Sequence, residues 1–489
     1  MLLRHSAAYL LARGLPALVN FLAIALYSRL LTPDEYGTYA VVVAWVSLGN
    51  AVFFQWLRLG VLRFLPSSGE HREQLLSTVA LGFVTQVLLT ATVCLVLWFH
   101  QGSQERGLVL VGLVLLWLQA WFELNLELAR AELNPVRYGL LSFLKSALGL
   151  IVGAGLVFFG FGVEGVLIGV IVSNLLPGLW SAFASWTRVR LYLVDRKALL
   201  ELVRYGLPLT VTLALAYVVS TSDRLLLDWL RGPSEAGLYA VGYDLAQSTS
   251  GVLMMVINLA AYPVVVKTLE TQGVEAAREQ LCNSATILLS VAVPATAGLM
   301  LLSANIADAF VGEAFRVEAA AIIPWAALGA LISGVKAYHI DLGFQLGKRT
   351  LTQVWSVLGA AISNLVLNVL LIPNYGALGA ASSAVIAYGV GLAISWGLVK
   401  QVFPMPFPVA DGLKITLATA GMVLALLPLL RFRGLWALAG QITLGATAYG
   451  IFVVLLNVAG VRHQLSNLLQ ARKLLERRYG LQNPPRRSE

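Results

Sequence analysis

Apolar runs of about twenty residues recur from one end of the chain to the other, with short polar intervals between them. Reading the runs and their punctuation places fourteen spans, at about 10–31, 36–57, 75–99, 107–126, 139–160, 164–186, 206–230, 236–263, 282–303, 319–341, 350–372, 376–399, 411–430 and 434–457. Each is long enough, as a helix, to cross the ~30 Å of hydrocarbon in a bilayer. The stretches Leu108 to Trp121 and Gly421 to Leu430 do not alternate, so the in–out pattern of a transmembrane β-barrel is excluded. No interval is long enough for a soluble domain. The pattern predicts an all-α polytopic membrane protein with about 14 transmembrane helices.

An internal repeat organises these spans. Pro33-Asp34-Glu35-Tyr36-Gly37-Thr38-Tyr39-Ala40-Val41 matches Pro233-Ser234-Glu235-Ala236-Gly237-Leu238-Tyr239-Ala240-Val241 at Pro, Glu, Gly, Tyr, Ala and Val. The first copy lies between spans one and two, the second between spans seven and eight. Gly14-Leu15-Pro16 precedes the first as Gly206-Leu207-Pro208 precedes the second, and Gly162-Val163-Glu164-Gly165 before span six echoes Gly376-Ala377-Leu378-Gly379 before span twelve. Six spans per copy keep both copies in the same orientation, as in parallel-repeat transporters. The expected organisation is a lobe over 1–186, an amphipathic cytoplasmic linker over 187–205, a second six-helix lobe over 206–400, two further helices over 401–460 and a basic tail over 461–489. The tail's spacing suits an interfacial helix on anionic lipid.

Composition agrees: 58% of residues are hydrophobic and 12% charged, against roughly a quarter charged in soluble domains. The net charge of +9 has a topological cause rather than a nucleic-acid partner. With the N-terminus inside, 24 of the 34 basic residues fall in inside segments and five in outside loops, which predicts both termini in the cytoplasm. Cys94 and Cys282 read as packing residues. Met1 to Ser6 is followed by no clear cleavage site, so the first helix is expected to remain.

The runs Ser28 to Ala40 and Arg58-Leu59-Gly60-Val61-Leu62-Arg63-Phe64-Leu65-Pro66, the segment Asp223-Arg224-Leu225-Leu226-Leu227, and Ile372 to Ala381 together resemble the bacterial polysaccharide flippases. These are the polysaccharide-transporter branch of the superfamily that also holds multidrug extruders and peptidoglycan lipid-precursor flippases. The resemblance implies two six-helix lobes around a central cavity and movement of an undecaprenyl-pyrophosphate-linked oligosaccharide to the outer leaflet by alternating access. It also implies the bacterial cytoplasmic membrane as the site of action. Expected partners are the lipid-linked oligosaccharide, membrane lipids, and a polysaccharide polymerase with its chain-length proteins; the chain is expected to be a monomer.

A pyrophosphate crosses hydrocarbon only if cations meet it there. An intramembrane charge costs ~2.5–3.5 kcal/mol on insertion scales, so each marks a candidate site. Five basic residues fall within spans: Arg13, Arg29, Lys145, Arg224 and Lys336. The candidate cationic cavity comprises Arg29, Lys145, Arg224 and Lys336, with Arg63 added by the family-like motif. Snorkelling explains Arg29 equally well, and a pair with the adjacent Asp223 explains Arg224. Carboxylates that carry an ion as the cavity changes sides are sought in Asp223, Asp244, Glu123 and Glu127. Glu123, Glu127 and Arg130 share one helical face, which also fits a partly wet ion-paired stripe. Asp341 and His339 are expected to be solvated at a span end, and Trp56, Trp98, Trp121, Trp186 and Trp229 to anchor at interfaces. No phosphate-binding Gly-rich loop and no metal spacing among the five His is present. No enzyme activity, cofactor or metal is expected, and a proton or sodium gradient supplies the drive. The alternatives are a multidrug extruder, which would call for acidic cavity residues, a peptidoglycan lipid-precursor flippase, or a non-transporting scaffold of a polysaccharide assembly complex.

Overall fold

The computed structural model describes residues 2–100, 105–187 and 189–462. Among them helices carry nearly the whole chain and no strand occurs. Eleven helical stretches are long and apolar enough to cross a membrane. Two of these, Pro135–Phe183 and Thr350–Val399, fold back on themselves, and Gly14–Leu30 belongs to a further apolar helix, which makes fourteen passages. The side chain of Arg13 and the basic tail beyond 462 lie outside the described residues.

The first lobe is built from α1 (Leu2–Leu30), α2 (Pro33–Phe53), its continuation α3 (Gln55–Phe64), α4 (Arg72–His100), α5 (Glu105–Ala131), α6 (Pro135–Leu156) and α7 (Gly162–Ser185). The second is built from α8 (Arg196–Arg231), α9 (Pro233–Gln272), α10 (Val274–Leu301), the short α11 (Ser303–Phe310), α12 (Arg316–Val335), α13 (Leu342–Leu346) and α14 (Gln353–Val399). The last two helices, α15 (Val409–Leu426) and α16 (Leu435–Leu455), pair with each other and lie against α10 and α11. There Asn305 donates to Gln441 at 2.6 Å, and Arg433 pairs with Asp308 at 2.8 Å. Between the lobes the chain is held on α4: the Arg190 and Asp195 amides donate to the hydroxyls of Ser77 and Thr78, each at 3.1 Å. α8 already begins at Arg196, inside the segment read as linker.

The repeated motif has a mechanical reason. Pro33 and Pro233 each occupy the first helical turn, where a missing N–H costs nothing. Glu35 closes a capping box with Thr32 in the first copy. Its counterpart Glu235 reaches across its lobe and accepts the Ala377 amide at 3.1 Å. That amide opens the second half of α14 just after Gly376, whose φ of 53° and ψ of −132° turn the helix back on itself. Gly162, with φ 48°, makes the same reversal between α6 and α7, and a Cβ there would meet Glu35. Both copies thus place a glutamate against the glycine of a helical hairpin. The faint Gly162 and Gly376 echo in the sequence is the signature of that contact.

The lobes meet on the repeat axis. A Cβ on Gly37 would fall on the Pro233 carbonyl, and one on Gly237 on the Pro33 carbonyl, so the two helix starts cross at backbone contact that only glycine permits. The largest buried cluster surrounds this crossing and draws on both lobes, with Tyr27, Tyr36 and Ala40 against Ala236, Tyr239 and Phe315. Gly312 donates to the Ser28 hydroxyl at 3.1 Å, and the rings of Phe21 and Phe310 meet edge to face at 5.0 Å.

The opposite end, which carries Arg58, Arg72, Arg137 and Arg196, is uneven. On one side α3 seals against α8, with Gly206 on the Trp56 backbone and Leu202 over Gly60. On the other, none of residues 14–26 of α1 is fully buried, and along α9 burial falls from ten of the fifteen residues 236–250 to one of the fourteen residues 251–264. The molecule is shut at the Gly37 end and loosened between α1 and α9 at the basic end.

Candidate functional site

Two charged clusters lie near the lobe boundary, one toward the basic end and one toward the Gly37 crossing. The first is organised by the break between α2 and α3 at Phe54, which turns the following helix so that Gln55 and Arg58 face inward. Arg58 is 8% exposed, ion-pairs with Glu123 of α5 and hydrogen-bonds Gln55. Glu123 is held further by Asn50 at 2.8 Å and Gln119 at 3.1 Å. Lys145 of α6, about 15 Å along its helix from Pro135, sets its ammonium 4.7 Å from the centre of the Phe122 ring. It has no ion-pair or hydrogen-bond partner among the described residues, and it lies within electrostatic reach of Arg58. Arg58 in turn feels Glu127 and Tyr217 of α8, which sets the cluster against the other lobe. Arg58, Lys145 and Arg130 stand against the carboxylates of Glu123 and Glu127, which leaves one positive charge over, the sign a phosphate-bearing ligand requires.

The second cluster lies beneath the Gly37 crossing. Arg224 ion-pairs with Asp244, its guanidinium 5.8 Å from the Tyr243 ring. Arg224 is therefore not the partner of its neighbour Asp223, because successive helical residues point about 100° apart. Asp223 is fully buried within its own lobe, where it accepts from Tyr239 at 2.7 Å, Asn364 at 3.0 Å and Asn368 at 2.6 Å. The Asn368 side-chain oxygen is buried without a partner. Asp244 is the more open member of its pair, 32% exposed against 14% for Arg224.

The remaining sequence candidates lie elsewhere. Arg29 donates to the Ala309 carbonyl at 2.7 Å, at the C-terminal end of α11 where the helix dipole favours a cation, and so ties the lobes together at the closed end. Arg63 is exposed at the basic end. Lys336, expected in the cavity, is buried at the end of α12 on Asp341 at 2.7 Å. Asp341 is not solvated as expected: it also takes Gln353 at 2.9 Å and Ser395, and His339 is buried with it, 2.8 Å from the Pro406 carbonyl. Glu127 pairs loosely with Arg130 at 3.5 Å. Glu123, on the same face, has Arg58 of α3 as its ion-pair partner. Trp56 is likewise core rather than anchor, 4% exposed. Among the described residues, no cluster of three or more His, Cys, Asp or Glu is placed to hold a metal.

Residues 26–320 match the family described as polysaccharide biosynthesis protein. The chain belongs to that family. A relative within reach of sequence comparison is the probable flippase AglR of Haloferax volcanii, 25% identical over 354 residues that cover 70% of each chain. The fold of this family member is that of the lipid II flippase MurJ in an inward closed conformation, with a TM-score of 0.78 at 17% identity over 93% of this chain and 99% of that one. A multidrug resistance MATE transporter in an inward-facing conformation matches with a TM-score of 0.55 at 15% identity, over 81% of this chain and 98% of the transporter. A superfamily transporter from Pyrococcus furiosus, whose binding pocket is described as reversed in polarity, matches at 0.57 and 14% over 82% and 95%.

Proposed function

We propose that this chain is a flippase that carries an undecaprenyl-pyrophosphate-linked oligosaccharide from the cytoplasmic to the outer leaflet. The basic end faces the cytoplasm, and no bond is made or broken. The observation that carries this reading is Lys145, a cation inside the apolar span Pro135–Phe183 without a counter-ion among the described residues, near the Arg58 and Glu123 pair. An unpaired ammonium in hydrocarbon is costly and becomes favourable when a diphosphate arrives. A cationic drug would meet net repulsion at the same place, which sets the multidrug reading behind.

Entry follows from the loosened boundary between α1 and α9, and exit requires the Gly37 crossing to open. For the coupling ion we assign Asp223. Three neutral side chains donate to its carboxylate, and the buried Asn368 oxygen, without a partner among the described residues, adds an acceptor for a sodium ion or a carboxyl proton.

The test is leaflet transfer of a fluorescent undecaprenyl-pyrophosphate glycan in liposomes, with sodium and proton gradients imposed separately. Wild type should transfer, and Lys145→Ala should transfer at least about tenfold more slowly, one charge-assisted contact being worth ~1.5–3 kcal/mol. Its melting temperature should be unchanged, since no partner is left behind. Asp223→Asn should lose the response to whichever gradient drives wild type. Transfer indifferent to Lys145→Ala would reject the cationic-site reading.

A further inference from the structure

A second cationic centre lies outside the path between the lobes. On the flank of the first lobe at the basic end, a pocket of about 300 Å³ opens between α6 and α7, lined by Asn134, Val136, Arg137, Leu140, Trp180 and Ser181. Its chemistry is divided. Arg137, 15% exposed, forms the polar end and is fixed by Ser181 and Ser185, each at 2.7 Å, and by Glu132 at 3.2 Å. Glu132 is shared with Arg72, so two arginines meet one carboxylate and positive charge remains. The rest of the lining is apolar and open: Val136, beside the arginine at the start of α6, is 74% exposed, Trp180, next to Ser181, 48%, and Leu140, one turn deeper, 43%.

Depth selects the occupant. Arg137 lies two residues from the start of α6 and Ser181 four from the end of α7, so the cation sits within about a turn of the helix ends, at headgroup level, beside a tryptophan of the kind found there. The matching place in the other lobe is finished differently. Ser395, nineteen residues after Gly376 as Ser181 is after Gly162, bonds Asp341, whose charge Lys336 cancels. One lobe closes the position with a neutral network, and the other leaves a fixed cation over an apolar slot.

We propose that this pocket binds one anionic phospholipid, with its phosphate on Arg137 and an acyl chain along Leu140 and Trp180. The site is separate from the transport path. It holds the end of the first lobe to the inner leaflet while the lobes move.

The experiment is native mass spectrometry of the detergent-purified full chain titrated with phosphatidylglycerol and with phosphatidylcholine of the same acyl chains. Wild type should retain one phosphatidylglycerol about tenfold more tightly than phosphatidylcholine, and added inorganic phosphate should not displace it. Arg137→Gln should abolish the preference, although that change also removes bonds within the lobe. Leu140→Trp fills the slot from an exposed position, leaves the arginine network intact and should abolish the preference at unchanged melting temperature. Equal binding of the two lipids, or a preference that survives Leu140→Trp, would overturn the proposal. Displacement by inorganic phosphate would overturn the lipid in favour of a free-anion site.

Discussion

Arg58 and Glu123 form the kind of pair whose worth is revealed only when half of it is removed. With Arg58 8% exposed, Arg58→Ala leaves a carboxylate in a poorly hydrated interior with only Asn50 and Gln119 to hold it. The expected cost is ~3–5 kcal/mol, read as a lowered midpoint of thermal unfolding in detergent. The double change Arg58→Met with Glu123→Leu removes both charges and should recover most of that stability while transfer stays lost. A double variant as unstable as the single one would mean that the pair matters for packing alone. Scarcity of charge in the spans made Lys145, Arg224 and Asp244 visible in the sequence. It did not reveal Arg58, which sits where inside-facing arginines are expected anyway and is turned inward only by the break at Phe54. Nor did it reveal Asn364 and Asn368, because asparagine carries no charge to stand out and its role depends on a carboxylate more than 140 residues away.

The hairpins made by α6 with α7 and by the two halves of α14 are the elements on which each lobe closes, and both depend on a glutamate supplied by the repeated motif. Glu235 accepts the first amide of the returning half of α14, so it acts as a cap reached through space rather than through sequence. Glu235→Ala should cost ~1 kcal/mol, as loss of a helix cap does. Glu235→Gln, which keeps an acceptor oxygen, should cost less. Differential scanning of the three proteins in one detergent decides this, and a Gln variant as unstable as the Ala variant would place the contribution in charge instead. The count, length and order of the passages were legible from hydropathy because lipid demands a long apolar run for every crossing. The reversals at Gly162 and at Gly376 were legible only as span boundaries. The glutamate contact behind them joins positions 142 residues apart, and one sequence registers that only as a repeat.

Across the whole molecule the pseudo-symmetry is broken where the lobes meet: the two related boundaries between them are packed differently. The same glycine from each copy, Gly37 and Gly237, bears on the backbone of the other copy, so the closed end has no slack. The boundary between α3 and α8 is tight, and the related boundary between α1 and α9 is loose at the basic end. A rocking cycle would exchange these conditions, opening the glycine crossing as the α1 and α9 boundary tightens. Gly37→Val drives a branched side chain into the Pro233 carbonyl and should shift the population toward opening at that end, since overpacking of this kind costs ~1–3 kcal/mol. With Cys94 and Cys282 replaced by serine, a cysteine at Ala260 on the loose part of α9 should react with a membrane-impermeant thiol reagent applied at the basic end. One at the buried Ser28 should be inert from either side. Adding Gly37→Val should make position 28 reactive from the opposite face and reduce reaction at position 260. If position 28 becomes reactive while position 260 is unaffected, the two ends open independently and the lobes do not rock as rigid bodies. Coupled changes at both positions would tie the reciprocal glycine contact to the packing of the boundary between α1 and α9.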